Sequence, residues 1–341
     1  MRVLICPDKF KGTASGADVA RALALAVERR GWEAALLPMA DGGEGTLEAL
    51  GGANRVTTVT GPLGSPVEAH WRLDGDLAVI EAAECAGLVL AGGPAGNRPL
   101  DATTRGVGEL LAEALAAGAR RLLVTVGGVA TTDGGRAATE VVGELPDGVD
   151  LQIACDVTTR FEDAARVFGP QKGATPADVE TLTRRLTALR EHYLRTTGRD
   201  VGAIPGGGAA GGLAGGLAAL GGRLVAGVDL VADVLGLDAA IEGADLVLTG
   251  EGRLDRQSFE GKVVGGVAAR AQRAAVPCAA VVGVAELVGA PIPVVSLVEV
   301  CGADRALRRT CESITAATER LLDEAAWAAA APGRLGAVTS S

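Results

Sequence analysis

Carboxylates and lysines recur in this chain just after short apolar runs, each time among glycines. Residues 2–6, RVLIC, run into Asp8, Lys9 and Lys11, and residues 34–38 run into Asp41 and Glu44 of the loop MADGGEG. Residues 121–126 lead into GGVATTDGG with Asp133, and residues 151–156 end at Asp156. Residues 244–249 lead into GEGRLDRQ, carrying Glu251, Arg253, Asp255 and Gln257, with Lys262 soon after. A single Asp in such a loop is most simply a helix cap or turn former. Five such loops together suggest another use, because open α/β sheets collect ligands beyond the carboxyl ends of their strands. Hard oxygen ligands for a metal, cations for a moving charge and a base for a hydroxyl are what magnesium–nucleotide phosphoryl transfer requires.

The stretch PGGGAAGG (205–212) matches G-x-G-x-x-G through Gly206, Gly208 and Gly211, with Gly207 between them. The match is weak, because a dinucleotide fingerprint needs a strand directly before it and an acid later, and TTGRDVGAI makes a poor strand. A helix N-terminus with bare glycine amides would still bind a phosphate or carboxylate. The structural alternative is a loop and close helix packing. No G-x-x-x-x-G-K-[ST] segment exists, which excludes a P-loop nucleotide site. His70 and His192, the only histidines, are too few for a Ser-His-Asp triad or a histidine-rich metal site, and both read as surface residues.

A formal charge of −10 argues against a basic nucleic-acid surface, and aromatics at 2% leave little to stack on unpaired bases. No nucleic-acid partner is expected. The six cysteines are scattered with no C-x-x-C pair, and Arg2-Val3-Leu4-Ile5 already reads as a strand, so a cytoplasmic protein is expected. The apolar stretch Val276 to Val298 is interrupted by Pro277, Glu286, Pro291 and Pro293. Two buried strands joined by a loop fit it better than a membrane span.

These loops need a scaffold that ends many strands on one side. Short β-rich runs alternate with helical patterns, the signature of an α/β protein with a mostly parallel sheet. At about 150 residues per domain, 341 residues predict two domains. Further strands are expected at 55–60, 67–73, 77–81, 278–283 and 292–298. Ser15 precedes a helix to about Arg30, Thr175-Pro176 opens another to about Tyr193, and a last helix runs from Cys311 to about Ala331, before a frayed end. Consecutive strands over 55–81 interrupt the alternation, which returns from about residue 235. The economical arrangement is one domain built from residues 1–65 plus 235–341, with residues 66–234 inserted as a second α/β domain.

Taken in order, DKFKGT (8–13), PMADGGEGT (38–46), VGGVATTDGG (126–135), FGPQKGAT (168–175), PGGGAAGGL (205–213), ADLVLTGEGRLDRQS (244–258) and GKVVGGVA (261–268) resemble the motif series of the type I glycerate kinase family, the glycerate 2-kinases. The resemblance runs from residue 2 to about 285, and MADGGEG, FGPQKGA and TGEGRxDxQ are long and specific. It implies an ATP-dependent kinase that makes phosphoglycerate, usually the 2-phosphate, from D-glycerate. It also implies two α/β domains around a cleft, one with a flavodoxin-like, mostly parallel sheet. With it come roles: Asp255 as base, Asp8 as its orienting partner, and Lys11 and Lys262 neutralising the transferring phosphoryl group and the nucleotide phosphates. Gly206, Gly207, Gly208, Gly211 and Glu251 join Lys262 in holding ATP. Asp41, Arg253 and Gln257 are expected at the hydroxy acid, and Asp133 and Asp156 at Mg²⁺. The expected partner is this small hydroxy acid, without nucleic acid or membrane. A homodimer is compatible with the sequence, which does not give the oligomeric state.

Several positions depart from the family pattern. Lys9 stands where serine is usual in DSFKG, Val129 and Thr132 replace the serine and asparagine of GGSATN, and Arg105 replaces a tyrosine. After Asp156-Val157 the usual N-P-L-x-G reads Thr158-Thr159-Arg160-Phe161-Glu162, and the segment before FGPQKG is about three residues shorter. Because Lys9, Arg105 and Arg160 add charge, a kinase for a larger or more anionic hydroxy acid is an alternative reading. From other classes come a binding homologue without catalysis and a dehydrogenase. The first has to account for the survival of Asp8, Lys11, Glu251, Asp255 and Lys262, and the second rests only on the glycine match.

Overall fold

In the computed structural model, residues 1–287 and 289–324 are described. The strands in chain order are β1 Arg2–Pro7, β2 Glu33–Leu36, β3 Arg55–Thr60, β4 Pro66–Asp74, β5 Leu77–Glu81, β6 Arg121–Thr125, β7 Asp150–Ala154, β8 Arg223–Val225, β9 Leu246–Leu254, β10 Cys278–Ala285 and β11 Val294–Ser296. They form two sheets in two units: Met1–Asp41 with the chain from Val228 onward, and Gly42–Gly227.

The first unit's sheet has the order β11-β10-β9-β1-β2, and every neighbouring pair is parallel. Counted within this unit, the order is the 2-1-3-4-5 of flavodoxin-like folds, with its switch point between β1 and β9. Burial on both faces of the inner strands β1, β9 and β10 accounts for their nearly unbroken apolar runs, while the edge strand β2 is partly exposed. Ile5, Leu248 and Val281 pack with Val19 and Leu23 of the helix Gly16–Arg29 and with Ile314 and Leu321 of the helix Thr310–Asp323. Ala280 and Val282 pack instead with Val264 of the helix Val263–Arg273. The expected Ser15 cap holds, its hydroxyl accepting from the Asp18 N–H at 3.2 Å. The segment expected as two buried strands joined by a loop is β10 and β11. No helix among the described residues is long and apolar enough to cross a membrane. The last helix is described to Asp323, so its expected continuation to Ala331 lies outside the described residues.

The second unit's sheet has the order β3-β4-β5-β6-β7-β8, antiparallel for its first two pairings and parallel for the rest. Because β3 pairs with β4 along its whole length, it belongs to this sheet. The chain accordingly passes into the second unit near residue 41, earlier than the expected 65, and leaves near residue 227, against an expected 234. The three-residue β8 was not expected; it is too short to show a period in sequence. Trp71, Leu110, Leu122 and Val124 make one core, and Phe161, Leu182, Leu186 and Tyr193 another beside the helix Pro176–Thr197.

Candidate active site

The switch point in the first unit lies where β1 ends. Asp8 follows β1 directly, and its amide donates to the Gly250 carbonyl of β9 at 2.8 Å. Its carboxylate accepts from the Lys9 N–H at 2.7 Å. Burial, reinforced by the charge of Asp41, pushes the Asp8 carboxyl up to about 6, against the pull of the Lys9 amide and of the Lys9 and Lys262 charges.

The chain was expected to leave the sheet at residue 249. Instead β9 continues to Leu254, because β10 follows it in register as far as Ala285 opposite Leu254. Glu251 and Arg253 are therefore strand residues and not loop residues. Glu251 is only 7% exposed, and its Oε1 has no hydrogen-bond partner. Burial, with smaller contributions from Asp8 and Asp255, pushes its carboxyl up to about 7, while Ser258 and Lys262 pull the other way. A carboxylate this deep prefers a proton or a cation.

Asp255 caps the single turn Arg256–Phe259, accepting from the Ser258 N–H at 3.2 Å while its own N–H donates to Ser258 Oγ at 3.0 Å. The Lys262 ammonium lies 3.9 Å from Asp255 Oδ1, at the start of the helix Val263–Arg273. Of the first-unit residues singled out in sequence, the structure thus gathers Asp8, Asp41, Glu251, Asp255 and Lys262 into one electrostatic neighbourhood. Lys11 is exposed, on a turn closed by the bridge between Phe10 and Ala14. Arg253 is also exposed and pairs with Glu286, and Gln257 sits exposed on the Arg256–Phe259 turn.

The second-unit candidates are engaged by their own chain. Asp133 Oδ2 accepts from the Thr104 N–H at 2.9 Å and the Thr104 hydroxyl at 2.8 Å, and Oδ1 accepts from the Gly135 N–H at 3.1 Å. Burial pushes its carboxyl up, and these hydrogen bonds offset part of that. Asp156 Oδ1 accepts from the Gly227 N–H at 2.9 Å. No group of three or more His, Cys, Asp or Glu among the described residues is arranged to hold a metal.

The glycine amides are not all bare, as the sequence suggested. The Gly207 N–H donates to Ile204 O and the Gly208 N–H to Thr159 O, both at 3.0 Å. A Cβ on Gly211, which has φ of +68°, would lie 2.0 Å from Thr131 O, and one on Gly208 would lie 2.2 Å from Arg160 O. Glycine is required at both positions because backbone meets backbone there. Gly206 lies in the same packed turn, where an added Cβ would fall 2.7 Å from Val157 O.

Two polar residues were missed. Ser258, fully buried, joins Asp255 to the cluster through the reciprocal cap, and D-R-Q-S is a spacing that could have revealed it. Lys172, in FGPQKG, is 4% exposed and donates from Nζ to Thr131 O at 2.7 Å. Burial lowers it to about 8, against the charge of Asp133. A lone lysine among Gly and Pro gave no sign that it would be buried.

Comparison with known proteins identifies the family and the fold. The sequence profile of the Glycerate kinase family matches residues 3–145 and 139–331. Glycerate 2-kinase of Escherichia coli (strain K12) is 37% identical over 326 residues, covering 83% of this chain and 85% of the relative. Glycerate kinase of Halalkalibacterium halodurans is 39% identical over 323 residues, covering 82% and 85%. A crystal structure described as a candidate glycerate kinase 2 from Salmonella typhimurium LT2 superposes with a TM-score of 0.83 at 34% identity, covering 95% of this chain and 98% of that one. The chain belongs to the glycerate kinase family and is a phosphotransferase.

Proposed function

We propose that this protein transfers the terminal phosphoryl group of ATP to D-glycerate, giving 2-phosphoglycerate. The observation that carries this reading is the cluster at the β1/β9 switch point, where Asp8, Glu251 and Asp255 meet Lys262. The names of the relatives supply the substrate, and the carboxyl edge of an open parallel sheet supplies the location.

In this reading Asp255 takes the proton of the attacking hydroxyl, and Asp8 orients it. The hydroxyl oxygen bonds to the γ-phosphorus as the bond from phosphorus to the leaving ADP oxygen breaks. Lys262 and Lys11 face the negative charge that spreads over the transferring group, which is the main task of a phosphoryl-transfer site. Asp41 and Gln257 contribute to holding the hydroxy acid, and Arg253 does so once released from Glu286.

Mg²⁺ fits the first-unit cluster at Glu251, whose buried Oε1 has no partner, although no three acids among the described residues are arranged as a cage. One or two of Asp8 and Glu251, with phosphate oxygens, would hold it, since Mg²⁺ is usually bound by few protein ligands. When bound, the ion screens the phosphate charge. Asp133 and Asp156 suit it less well, because their own chain already donates to them.

The test is ADP release with Mg²⁺, ATP and a panel of hydroxy acids, with ³¹P NMR fixing the position of the new ester. D-Glycerate should lead the panel and give the 2-phosphate. No glycerate-dependent ADP above background would overturn the reading.

A further inference from the structure

Glu81, the last residue of β5, has no role in the reading above. It lies beside Thr125 of β6 and is only 7% exposed. A carboxylate this deep needs donors, and it takes them from a loop far away in sequence. Its Oε1 accepts from the Gly45 N–H at 3.1 Å and from the Leu47 N–H at 2.7 Å. Both amides belong to MADGGEGTL, the loop that carries Asp41.

That loop depends on such anchors. Gly45 begins the single turn Thr46–Ala49 with φ of +91° and has no side chain to cap it, so Glu81 supplies the cap from another strand. Gly42, at φ of +82°, is seated where an added Cβ would fall 2.6 Å from Gly227 Cα and 2.7 Å from Ala154 Cβ. Thr46 is fully buried and donates from Oγ1 to the Gly43 carbonyl at 2.7 Å. On the other side of Asp41, the Met39 N–H donates to the Pro7 carbonyl at 2.8 Å, one residue before Asp8. Asp41 thus sits between two anchored points, and its charge is felt at Asp8.

We infer that Glu81 is a positioning residue for the phosphoryl-transfer reaction: by holding the Gly45 and Leu47 amides it fixes the loop that presents Asp41 to the hydroxy acid. The inference rests on the proposed place of Asp41 at that acid, and it adds the group that maintains the placement. The action of Glu81 is indirect, because its Oε1 is engaged by the two amides.

Steady-state kinetics of the full chain test it, with Glu81→Ala and Glu81→Gln alone and each combined with Asp41→Asn. The acceptor is whichever hydroxy acid the wild type turns over best. Hydrogen exchange reads the loop directly: losing two charge-assisted bonds in Glu81→Ala should speed exchange across residues 41–47 about tenfold. KM for the acid should rise about tenfold, while KM for ATP holds and kcat falls by less than about threefold. Glu81→Gln keeps a carbonyl oxygen for the same amides and should lose only about threefold, which decides the matter if Glu81→Ala fails to fold. In the Asp41→Asn background neither substitution should raise KM further, because both act through that carboxylate. A merely structural Glu81 would instead multiply with Asp41→Asn and raise both KM values. The inference is overturned by that outcome, or by an acid KM that stays at the wild-type value in the Glu81 variants. A wild type inactive on every hydroxy acid overturns the reaction reading and this inference together, whereas an active wild type with unchanged Glu81 variants overturns this inference alone.

Discussion

At the carboxyl edge of the first unit's sheet, Asp8 and Glu251 are carboxyls pushed up to about 6 and about 7, and one oxygen of Glu251 has no partner. In the second unit, Asp133 accepts three hydrogen bonds from its own chain, and Gly207 and Gly208 give their amides to backbone carbonyls. Both regions are built from the same loop vocabulary of glycines and acids after strands. In the first, burial leaves electrostatic demand that a substrate or cation can meet. In the second, the demand of Asp133 and of these two amides is met in large part internally. The orphaned buried oxygens of the same loop, Thr131 Oγ1 and Thr132 Oγ1, are neutral hydroxyls and not carboxylates. Membership of a motif does not separate the two cases, and an account of each polar atom's partner does.

The largest expected effect follows from that contrast. Asp255→Asn should lower kcat about 10²–10⁴-fold, the usual contribution of a positioned general base. Asparagine can still accept from the Ser258 N–H, so the melting temperature should barely move. Asp133→Asn should do the reverse, costing about 1–3 kcal/mol of stability as a charged hydrogen-bond acceptor is lost. Its kcat, measured well below the melting transition, should stay near wild type. If Asp255→Asn keeps kcat within threefold, or Asp133→Asn loses activity without loss of stability, the division between the units fails.

pH should separate the units next. Glu251 and Asp8 titrate above ordinary carboxyls, so the folded first unit binds more protons than its unfolded chain between about pH 4 and 7. Its stability should therefore fall as pH rises through that window, by about 3 kcal/mol for the well-buried Glu251. Activity should change the other way, rising as the same carboxylates ionise between about pH 6 and 7. Lys172 is lowered from 10.5 to about 8, so the folded second unit binds fewer protons than the unfolded chain above about pH 8. Stability from this source should rise with pH from about 8 to 10.5, and Lys172→Met should remove that rise. Urea melts across pH with Glu251→Gln and Lys172→Met measure both slopes; a slope that survives its own substitution belongs to another group.

Much of this was legible in sequence. The parallel strands were visible as apolar runs too short for helices, and Ser15 and Thr175 marked helix starts that both carry side-chain caps. The carboxylates at β1 and β9 stood out because they interrupt those runs. Other features depend on partners distant in sequence. Glu251 reads as a loop residue until β10 is known to run beside it. The glycines of PGGGAAGG read as a phosphate turn until Thr131 and Arg160 are known to press against them. Lys172 reads as surface by type, since lysine is almost never buried without a partner.

The smallest expected effect concerns the charges that depart from the family pattern. Arg105 invites the reading of an enlarged, more cationic acceptor site, yet its guanidinium donates to Glu109 at 2.9 Å on an exposed helix face. Glu109 in turn accepts from the Thr60 N–H at 2.7 Å, so the pair belongs to the packing of β3 against the helix Arg105–Ala116. The unusual segment 158–162 is similarly anchored, with Phe161 fully buried and the Thr159 carbonyl accepting from Gly208. Both look inward to the unit's own structure. Arg105→Ala should therefore cost about 0.5 kcal/mol, the scale of an exposed i,i+4 pair. Neither it nor Arg160→Ala should alter the ranking of D-glycerate over tartronate and tartrate in kcat/KM. A selective gain or loss of tenfold for the dicarboxylates in either variant would make these cations substrate contacts, and the second unit would then share in recognising the acceptor.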